Sequence, residues 1–296
     1  MRSVSKDRLL RGIVLREASF GEADKYLTIL TGELGKISVV AKGARSYRSP
    51  YMQASQLFCC ADFLLCEKKE RYSLVEAVTV DTFYRLREDF VQLSLGQYFL
   101  DVVSEVCSEN DPTGAENVLR LLLNCLYALA NGLYPQHQIK AAFEFRLAAI
   151  EGFMPELGGC ARCGKNKRGD QLYLDVMNGA LVCSDCLRAA ENLPGVPADG
   201  DSERTASILC PLTEETLGAL RYIISSRPER LLSFSLTEEG LSELEKTAEV
   251  YLLNQLDRGF ETLKFYKQAE LMQKKSAGKE ATDNIKNDTA EEQTGI

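Results

Sequence analysis

The chain has 296 residues, with 35 Lys and Arg against 43 Asp and Glu, so its formal net charge is −8. A chain of this length can form two domains with a sizeable core. A net acidic protein is not a general binder of polyanions, so nucleic-acid contact would need a local basic patch. Ten cysteines, the lack of a signal peptide and the lack of a long apolar run predict a cytoplasmic protein with reduced thiols and no membrane span.

The first eighty residues carry the pattern of short β-strands. Apolar runs separated by short, turn-forming connections occur at 12–16, 25–31, 36–41, 57–66 and 72–80. About five strands in a segment of this size are typical of a small closed barrel such as an OB-fold. We therefore predict an OB-fold β-barrel over residues 1–80, with Cys59, Cys60 and Cys66 as small core residues.

The apolar spacing becomes helical from about residue 82 onwards. The predicted helices lie at about 83–107, up to 130 and at 135–152, and two more begin at Thr213 and Thr237. Each of these threonines precedes two glutamates, as is common at the start of a helix.

This pattern predicts an α+β multidomain protein, with the barrel followed by a helical domain in two parts, 81–157 and 191–272. A Pro- and Gly-containing loop is expected at 192–207. The polar segment 273–296 is expected to be a disordered tail.

Two Cys-x-x-Cys pairs interrupt the helical region, Cys160 with Cys163 and Cys183 with Cys186. This spacing is typical of a four-cysteine zinc site, because two tight turns can supply four thiolates to one tetrahedral ion. The segment between the pairs predicts two strands around an Asn178-Gly179 turn. We predict a zinc ribbon over residues 158–190 with one zinc per chain; four unrelated buried thiols or two disulfides are the alternatives.

Such a site would be structural, since four thiolates leave no open position for water or substrate. The chain has a single histidine, His137, at a predicted helix start, where a surface or capping role is more common than metal ligation. The sequence therefore offers no residue set for a catalytic site.

Positive charge is concentrated between residues 35 and 51, where four basic residues, Lys36, Lys42, Arg45 and Arg48, occur without an acidic one. Cations with a flexible glycine and a nearby tyrosine suit the phosphates and bases of a single nucleic-acid strand. A solvated loop with incidental charge is the plainer interpretation. A second basic cluster, Arg162, Lys165, Lys167 and Arg168, lies in the predicted ribbon.

Several of these motifs resemble the N-terminal domain of the bacterial DNA repair protein RecO family. They are Gly12-Ile-Val-Leu-Arg16, Phe20-Gly-Glu22-Ala-Asp24-Lys25, Leu30-Thr31, Gly35-Lys36 and Val40-Ala-Lys42-Gly43-Ala-Arg45. The order of barrel, helical domain and inserted four-cysteine module is also similar. The resemblance covers about residues 8–260.

The resemblance implies a recombination mediator and not an enzyme. Such proteins bind single- and double-stranded DNA, anneal complementary strands and, with RecR, help to load RecA on strands coated by single-strand-binding protein, whose C-terminal tail they contact. On matching positions, Lys36, Lys42 and Arg45 would contact DNA and the four cysteines would hold zinc. Cytoplasmic, nucleoid-associated localisation is also implied.

This sequence departs from the family in one place, because family members often have further basic residues where it has Ser46 and Tyr47. Some members lack the cysteines, which favours a stabilising role for the metal. Two other classes stay open from the residues alone: a zinc-ribbon nucleic-acid enzyme, and a zinc-ribbon transcription or scaffold protein.

Overall fold

The computed structural model describes residues 6–69, 71–166, 169–191 and 207–292. Its first five strands close into a barrel; they are β1 Lys6–Phe20, β2 Asp24–Thr31, β3 Gly35–Ala41, β4 Cys60–Lys68 and β5 Arg71–Asp81. The neighbours follow the order β1-β2-β3-β5-β4, with β3 and β5 parallel and the other pairs antiparallel. The predicted OB-type barrel is confirmed.

Strand β1 is buried on both of its faces between Gly12 and Leu15. Val14 packs in the barrel core, whereas Ile13 and Leu15 pack into the larger core that the helices form. Buried strands of this kind have continuous apolar runs and not alternating patterns. The run Gly12-Ile-Val-Leu therefore marks the surface by which the barrel joins the helical domain.

The predicted cysteine positions in the barrel are only partly right. Cys59 and Cys60 are buried, and Cys59 lies in the barrel core, while Cys60 packs with the helices. Cys66 is half-buried, because the alternation along β4 places it on the outer face while Phe63 and Leu65 point inwards.

Seven helices follow in the described residues. They are α1 Phe90–Val106, α2 Ala115–Ala130, α3 Gln136–Ile150, α4 Ser184–Glu191, α5 Glu214–Ser225, α6 Glu238–Gln255 and α7 Glu261–Glu292. Thr213 and Thr237 cap α5 and α6 as predicted: their side-chain oxygens accept hydrogen bonds from the N–H groups of Thr216 and Gly240.

The structure differs from the sequence expectation at the first helix. Phe83 has a left-handed backbone with φ 46, and a short 3-10 turn at Tyr84–Glu88 precedes α1. Asp89 then caps α1 by accepting hydrogen bonds from the N–H groups of Val91 and Gln92. The helix begins where this cap satisfies its first free amides, seven residues later than predicted.

The expected disordered tail also differs, because α7 extends to Glu292 and the part of the tail after it lies outside the described residues. The segment from residue 273 to 292 has four lysines, three alanines, three glutamates and no proline, so about half of its residues favour a helix although few are apolar. The structure therefore has a helix up to Glu292 where the polar composition predicted a disordered tail.

The cysteine module forms a four-stranded sheet of order β6-β8-β7-β9. Its strands are β6 Glu156–Cys160, β7 Leu172–Asp175, β8 Ala180–Cys183 and β9 Leu209–Leu212. The predicted pair of strands around Asn178-Gly179 is present as β7 and β8. The fourth strand comes from beyond the predicted module boundary at residue 190, and most of the expected loop at 192–207 lies outside the described residues.

A fully buried lysine, Lys140, lies in the core of the helical domain. Its ammonium group on α3 is 2.9 Å from Glu144 and 2.8 Å from Glu249 on α6, and Tyr98 of α1 donates a 2.7 Å hydrogen bond to Glu144. Burial alone would lower the pKa of Lys140. The surrounding carboxylates outweigh this effect and raise the pKa above its ordinary value. The network therefore joins three helices around one buried cation.

The histidine belongs to the same network and not to the cysteine group. His137 is half-buried, 2.8 Å from Glu245 of α6 and 3.4 Å from Glu270 of α7. The contact with Glu245 raises the pKa of the imidazole, although partial burial acts in the opposite direction. The histidine thus connects α3 to two other helices.

The barrel also meets the helical domain through the turn before β3. Gly35 has φ 70, and a Cβ built on it would lie 1.9 Å from the carbonyl oxygen of Asp111. Next to it, Lys36 Nζ donates a 2.6 Å hydrogen bond to the carbonyl oxygen of Ser104 near the end of α1. A cation there satisfies a carbonyl of the last helical turn and complements the helix dipole.

We predict that Gly35→Ala lowers the free energy of unfolding by about 3 kcal/mol or more, measured by urea denaturation. The left-handed backbone alone costs about 1–2 kcal/mol for a residue with a Cβ, and the contact with Asp111 adds to this cost. Gly21→Ala is the matched control, because Gly21 has φ 57 but nothing within 4 Å of its Cβ position. Equal losses in the two variants would contradict a close approach at Gly35.

We predict that Lys140→Ala lowers the free energy of unfolding by about 3–5 kcal/mol, because it leaves the buried Glu144 without its cation. The measurement is urea denaturation at neutral pH. Lys264→Ala is the control, since the Lys264–Glu261 pair is exposed and such pairs contribute at most about 1 kcal/mol. A Lys140→Ala loss no larger than that of the control would refute the role of the network.

Candidate metal centre and nucleic-acid face

The four cysteines are brought together by two strand ends. Cys160 ends β6 and Cys183 ends β8, and these two strands pair in parallel, so their ends lie side by side. Cys163 lies in the turn after β6, and Cys186 lies in the first turn of α4. Each Cys-x-x-Cys pair therefore places one thiol at a strand end and one in the following turn.

The first turn needs a glycine. Gly164 has φ 72, its N–H donates a 2.8 Å hydrogen bond to the carbonyl oxygen of Cys160, and the N–H of Cys160 donates one of 2.8 Å to the carbonyl oxygen of Lys165. The chain thus returns on itself immediately after Cys163. Only glycine adopts this left-handed backbone at little cost.

The sulfur atoms have the separations of a tetrahedral site. All four lie within 4.8 Å of one another, and the Sγ atoms of Cys163 and Cys183 are 3.7 Å apart. Four sulfurs at about 2.3 Å from a zinc ion would be about 3.8 Å apart, whereas a disulfide needs about 2.05 Å. All ten cysteines are free thiols, so the two-disulfide alternative is excluded, and the group fits a metal ion.

The backbone N–H groups around Cys160 favour the thiolate form of this cysteine. Burial alone would raise the pKa of the Cys160 thiol, but N–H groups of Cys183, Cys163 and Arg162 outweigh it and lower the pKa to about 6. The N–H of Cys183 lies 3.3 Å from the Cys160 sulfur. A deprotonated sulfur is the form that binds a metal ion, and four such ligands leave no position for substrate.

The basic cluster of the cysteine module is partly neutralised. Arg162 donates a 3.1 Å hydrogen bond to the carbonyl oxygen of Cys186, and Lys165 forms a 2.6 Å ion pair with Asp185. Lys167 and Arg168 lie outside the described residues. The described members of this cluster thus serve the module itself.

The basic loop, which we define as residues 42–48 between β3 and β4, is held against the β1–β2 turn. The N–H of Gly43 donates a 2.7 Å hydrogen bond to Asp24, the N–H of Arg45 donates one of 2.9 Å to the carbonyl oxygen of Ala23, and the Arg45 guanidinium donates one of 3.3 Å to that of Gly21. Ala44 is fully buried in the barrel core. The loop is therefore fixed while its cations stay outside.

The structure separates the four predicted DNA-contacting residues into two groups. Lys42, Arg45 and Arg48 are exposed in the basic loop, together with Tyr47, which is 91% exposed. Lys36 is half-buried at the helical junction, where its ammonium group already donates to Ser104. The loop residues share one surface, and Lys36 is not among them.

One row of side chains across the barrel was not identified from the sequence. The strand register places Tyr26 of β2 opposite Val40 of β3, and Val40 opposite Ser73 of β5. Phe20 lies beside Tyr26 with ring centroids 4.8 Å apart, and both rings are exposed. The two aromatic residues on adjacent strands could have been noticed in the sequence. The parallel pairing of β3 with β5, which completes the row, could not be predicted from local spacing.

A closed barrel joined to a helical domain that carries a four-cysteine group able to hold a metal ion defines an OB-fold protein with a candidate metal site. Family models give a more specific assignment: residues 6–83 match the recombination protein O N-terminal domain, and residues 87–200 match the recombination protein O C-terminal domain. The chain belongs to the RecO family of DNA repair and recombination proteins.

Curated relatives agree with this assignment. The chain is 33% identical over 256 residues to the DNA repair protein RecO of Acetivibrio thermocellus, which covers 86% of this chain and 94% of the relative. It is 31% identical over 221 residues to the DNA repair protein RecO of Rubrobacter xylanophilus. This match covers 72% of this chain and 88% of the relative. No helix within the described ranges is long and apolar enough to cross a membrane.

We predict one zinc ion per chain in protein purified without chelator, and a zinc content well below one for Cys163→Ser, because three thiolates bind the ion more weakly. Since metal binding and local folding are one equilibrium, the midpoint of thermal unfolding should also fall. Cys66→Ser, in a half-buried residue of β4, is the matched control and should keep its zinc. Wild-type protein without zinc would refute the assignment.

Proposed function

We propose that the chain is a recombination mediator without catalytic activity, which binds single- and double-stranded DNA and anneals complementary strands. The observation that supports this most is the basic loop, whose backbone is fixed by hydrogen bonds to the β1–β2 turn of an OB-type barrel while the side chains of Lys42, Arg45 and Arg48 are exposed. A loop with a fixed backbone loses little conformational entropy when its cations meet phosphates.

The division of the predicted residues refines this proposal. Lys42, Arg45 and Arg48 contact DNA phosphates, while Lys36 holds the barrel on α1 through Ser104. With three cations and a net charge of −8, binding is weak to moderate, independent of sequence and strongly dependent on salt.

The partners follow from the family and not from a surface of the chain. With RecR, the protein helps to load RecA on strands coated by single-strand-binding protein, whose C-terminal tail it contacts; RecA is reached indirectly. This activity takes place in the cytoplasm at the nucleoid. The four-cysteine group holds one structural zinc ion, which stabilises the module and takes no part in chemistry on DNA.

We predict that the double variant Lys42→Glu/Arg45→Glu loses single-strand binding and annealing while it keeps its zinc content and thermal stability. The wild-type affinity should fall with a log–log salt slope of about −2, at roughly −0.7 per phosphate contact. Fluorescence anisotropy with a labelled oligonucleotide and annealing of complementary strands without nucleotide are the measurements.

The matched control is Lys246→Glu/Lys264→Glu, which makes the same change in net charge on exposed positions of α6 and α7. It should keep nearly wild-type binding. If Lys42→Glu/Arg45→Glu anneals at the wild-type rate, the basic loop is not the DNA site. Cleaved strands would instead indicate an enzyme.

A further inference from the structure

The aromatic pair Phe20–Tyr26 lies on the outer face of the barrel. Phe20 is 51% exposed and Tyr26 is 43% exposed, and their rings are tilted by 54°. Exposed aromatic neighbours on a sheet are a typical surface for stacking nucleobases, since every base has a π-face.

The pair is adjacent to the basic loop. Phe20 ends β1 and Tyr26 lies near the start of β2, so both flank the turn to which the loop is bound. The Arg45 guanidinium reaches the carbonyl oxygen of Gly21, the residue that follows Phe20. Cations and rings are therefore carried by one fixed unit.

Strand register extends this surface across the barrel. Tyr26 lies opposite Val40, and Lys42 follows Val40 by two residues, so it continues the same outward face. In the parallel pair, Val40 lies opposite Ser73, which places exposed Arg71 across from Ser38 on this face. On this face, Ser38 and Val40 of β3 thus lie between two cations, Lys42 beyond Val40 and Arg71 across from Ser38.

Three acidic residues lie near this surface, and each has a hydrogen-bond donor, a cationic partner or a place at its edge. Asp24 accepts a hydrogen bond from the N–H of Gly43, and Glu17 pairs with Lys25. Glu22 is exposed at the tip of the β1–β2 turn. The three exposed cations of the basic loop thus outnumber the two carboxylates without a cationic partner among the described residues, Asp24 and Glu22, and the surface keeps a net positive charge.

We propose that Phe20 and Tyr26 form a stacking platform for unpaired bases of single-stranded DNA, with Lys42 and Arg45 on the phosphates at one end and Arg71 at the other. This inference rests on the proposed DNA binding. It adds a ligand class, unpaired bases, because bases within a duplex are already stacked and their faces are closed to the rings.

The plainer role of the pair is structural. Aromatic cross-strand neighbours stabilise a hairpin by themselves, so loss of the rings could weaken the β1–β2 pairing without any ligand. The double variant Phe20→Leu/Tyr26→Val separates the two roles, since it keeps apolar, strand-compatible side chains and removes both rings.

The test compares full-length, zinc-loaded protein on two labelled probes of equal length and phosphate number, an oligo-dT strand and its abasic analogue. The wild type should bind oligo-dT at least about fivefold more tightly than the abasic strand, the least that one stacked base contributes. In Phe20→Leu/Tyr26→Val this ratio should fall at least about fivefold, the contribution of one stacked base, with the salt slope and duplex affinity unchanged.

Two control variants fix the interpretation. Phe20→Tyr/Tyr26→Phe keeps both rings and should keep the wild-type ratio. Tyr84→Val removes a ring outside this face that is 65% exposed, and this variant should also keep the wild-type ratio.

A wild type that binds both probes equally would overturn the platform and leave DNA binding intact, as would a ring-free variant with the wild-type ratio. No binding to either probe would overturn the proposed DNA binding and the platform with it.

Discussion

The burial of β1 on both faces is the constraint on which the arrangement of this molecule depends. Val14 completes the barrel core, and Ile13 and Leu15 enter the helical core, so one strand belongs to two cores. Moving β1 away from its place would therefore expose apolar side chains of both cores to water. Gly35 against Asp111 and Lys36 on Ser104 reinforce the same junction. These contacts hold the first end of β3 against the helical domain, and the basic loop follows the other end of the same strand.

The helical domain has a second organising interaction, the buried ammonium group of Lys140. A buried ion pair is weak evidence for stability, because desolvation offsets much of its attraction, but removal of one partner is costly. Here the cation meets carboxylates from two helices, and Tyr98 brings in a third. The positions of α1, α3 and α6 relative to one another must therefore be kept for the buried charges to stay paired.

Local sequence patterns predicted most of the fold and the cluster of four cysteines, because each depends on neighbours within a few residues. Strand runs, the caps at Thr213 and Thr237 and the Cys-x-x-Cys turns are of this kind. The tail is the exception. Its polar composition predicted disorder, although many of its residues favour a helix. Lys36 and Lys42 look alike in the sequence and differ only in the three-dimensional contact with Ser104. Likewise, the row from Tyr26 to Ser73 requires the parallel pairing of β3 with β5.

The metal centre and the proposed DNA surface are built on separate elements, and this separation has a physical consequence. The cysteine group lies at the ends of β6 and β8, whereas the basic loop is fixed by hydrogen bonds within the barrel. Among the described cations of the cysteine module, Arg162 donates a hydrogen bond to Cys186 and Lys165 pairs with Asp185. Loss of a metal ion from this group would therefore loosen the module without altering the basic loop. The four-cysteine group and the proposed DNA surface can thus change independently.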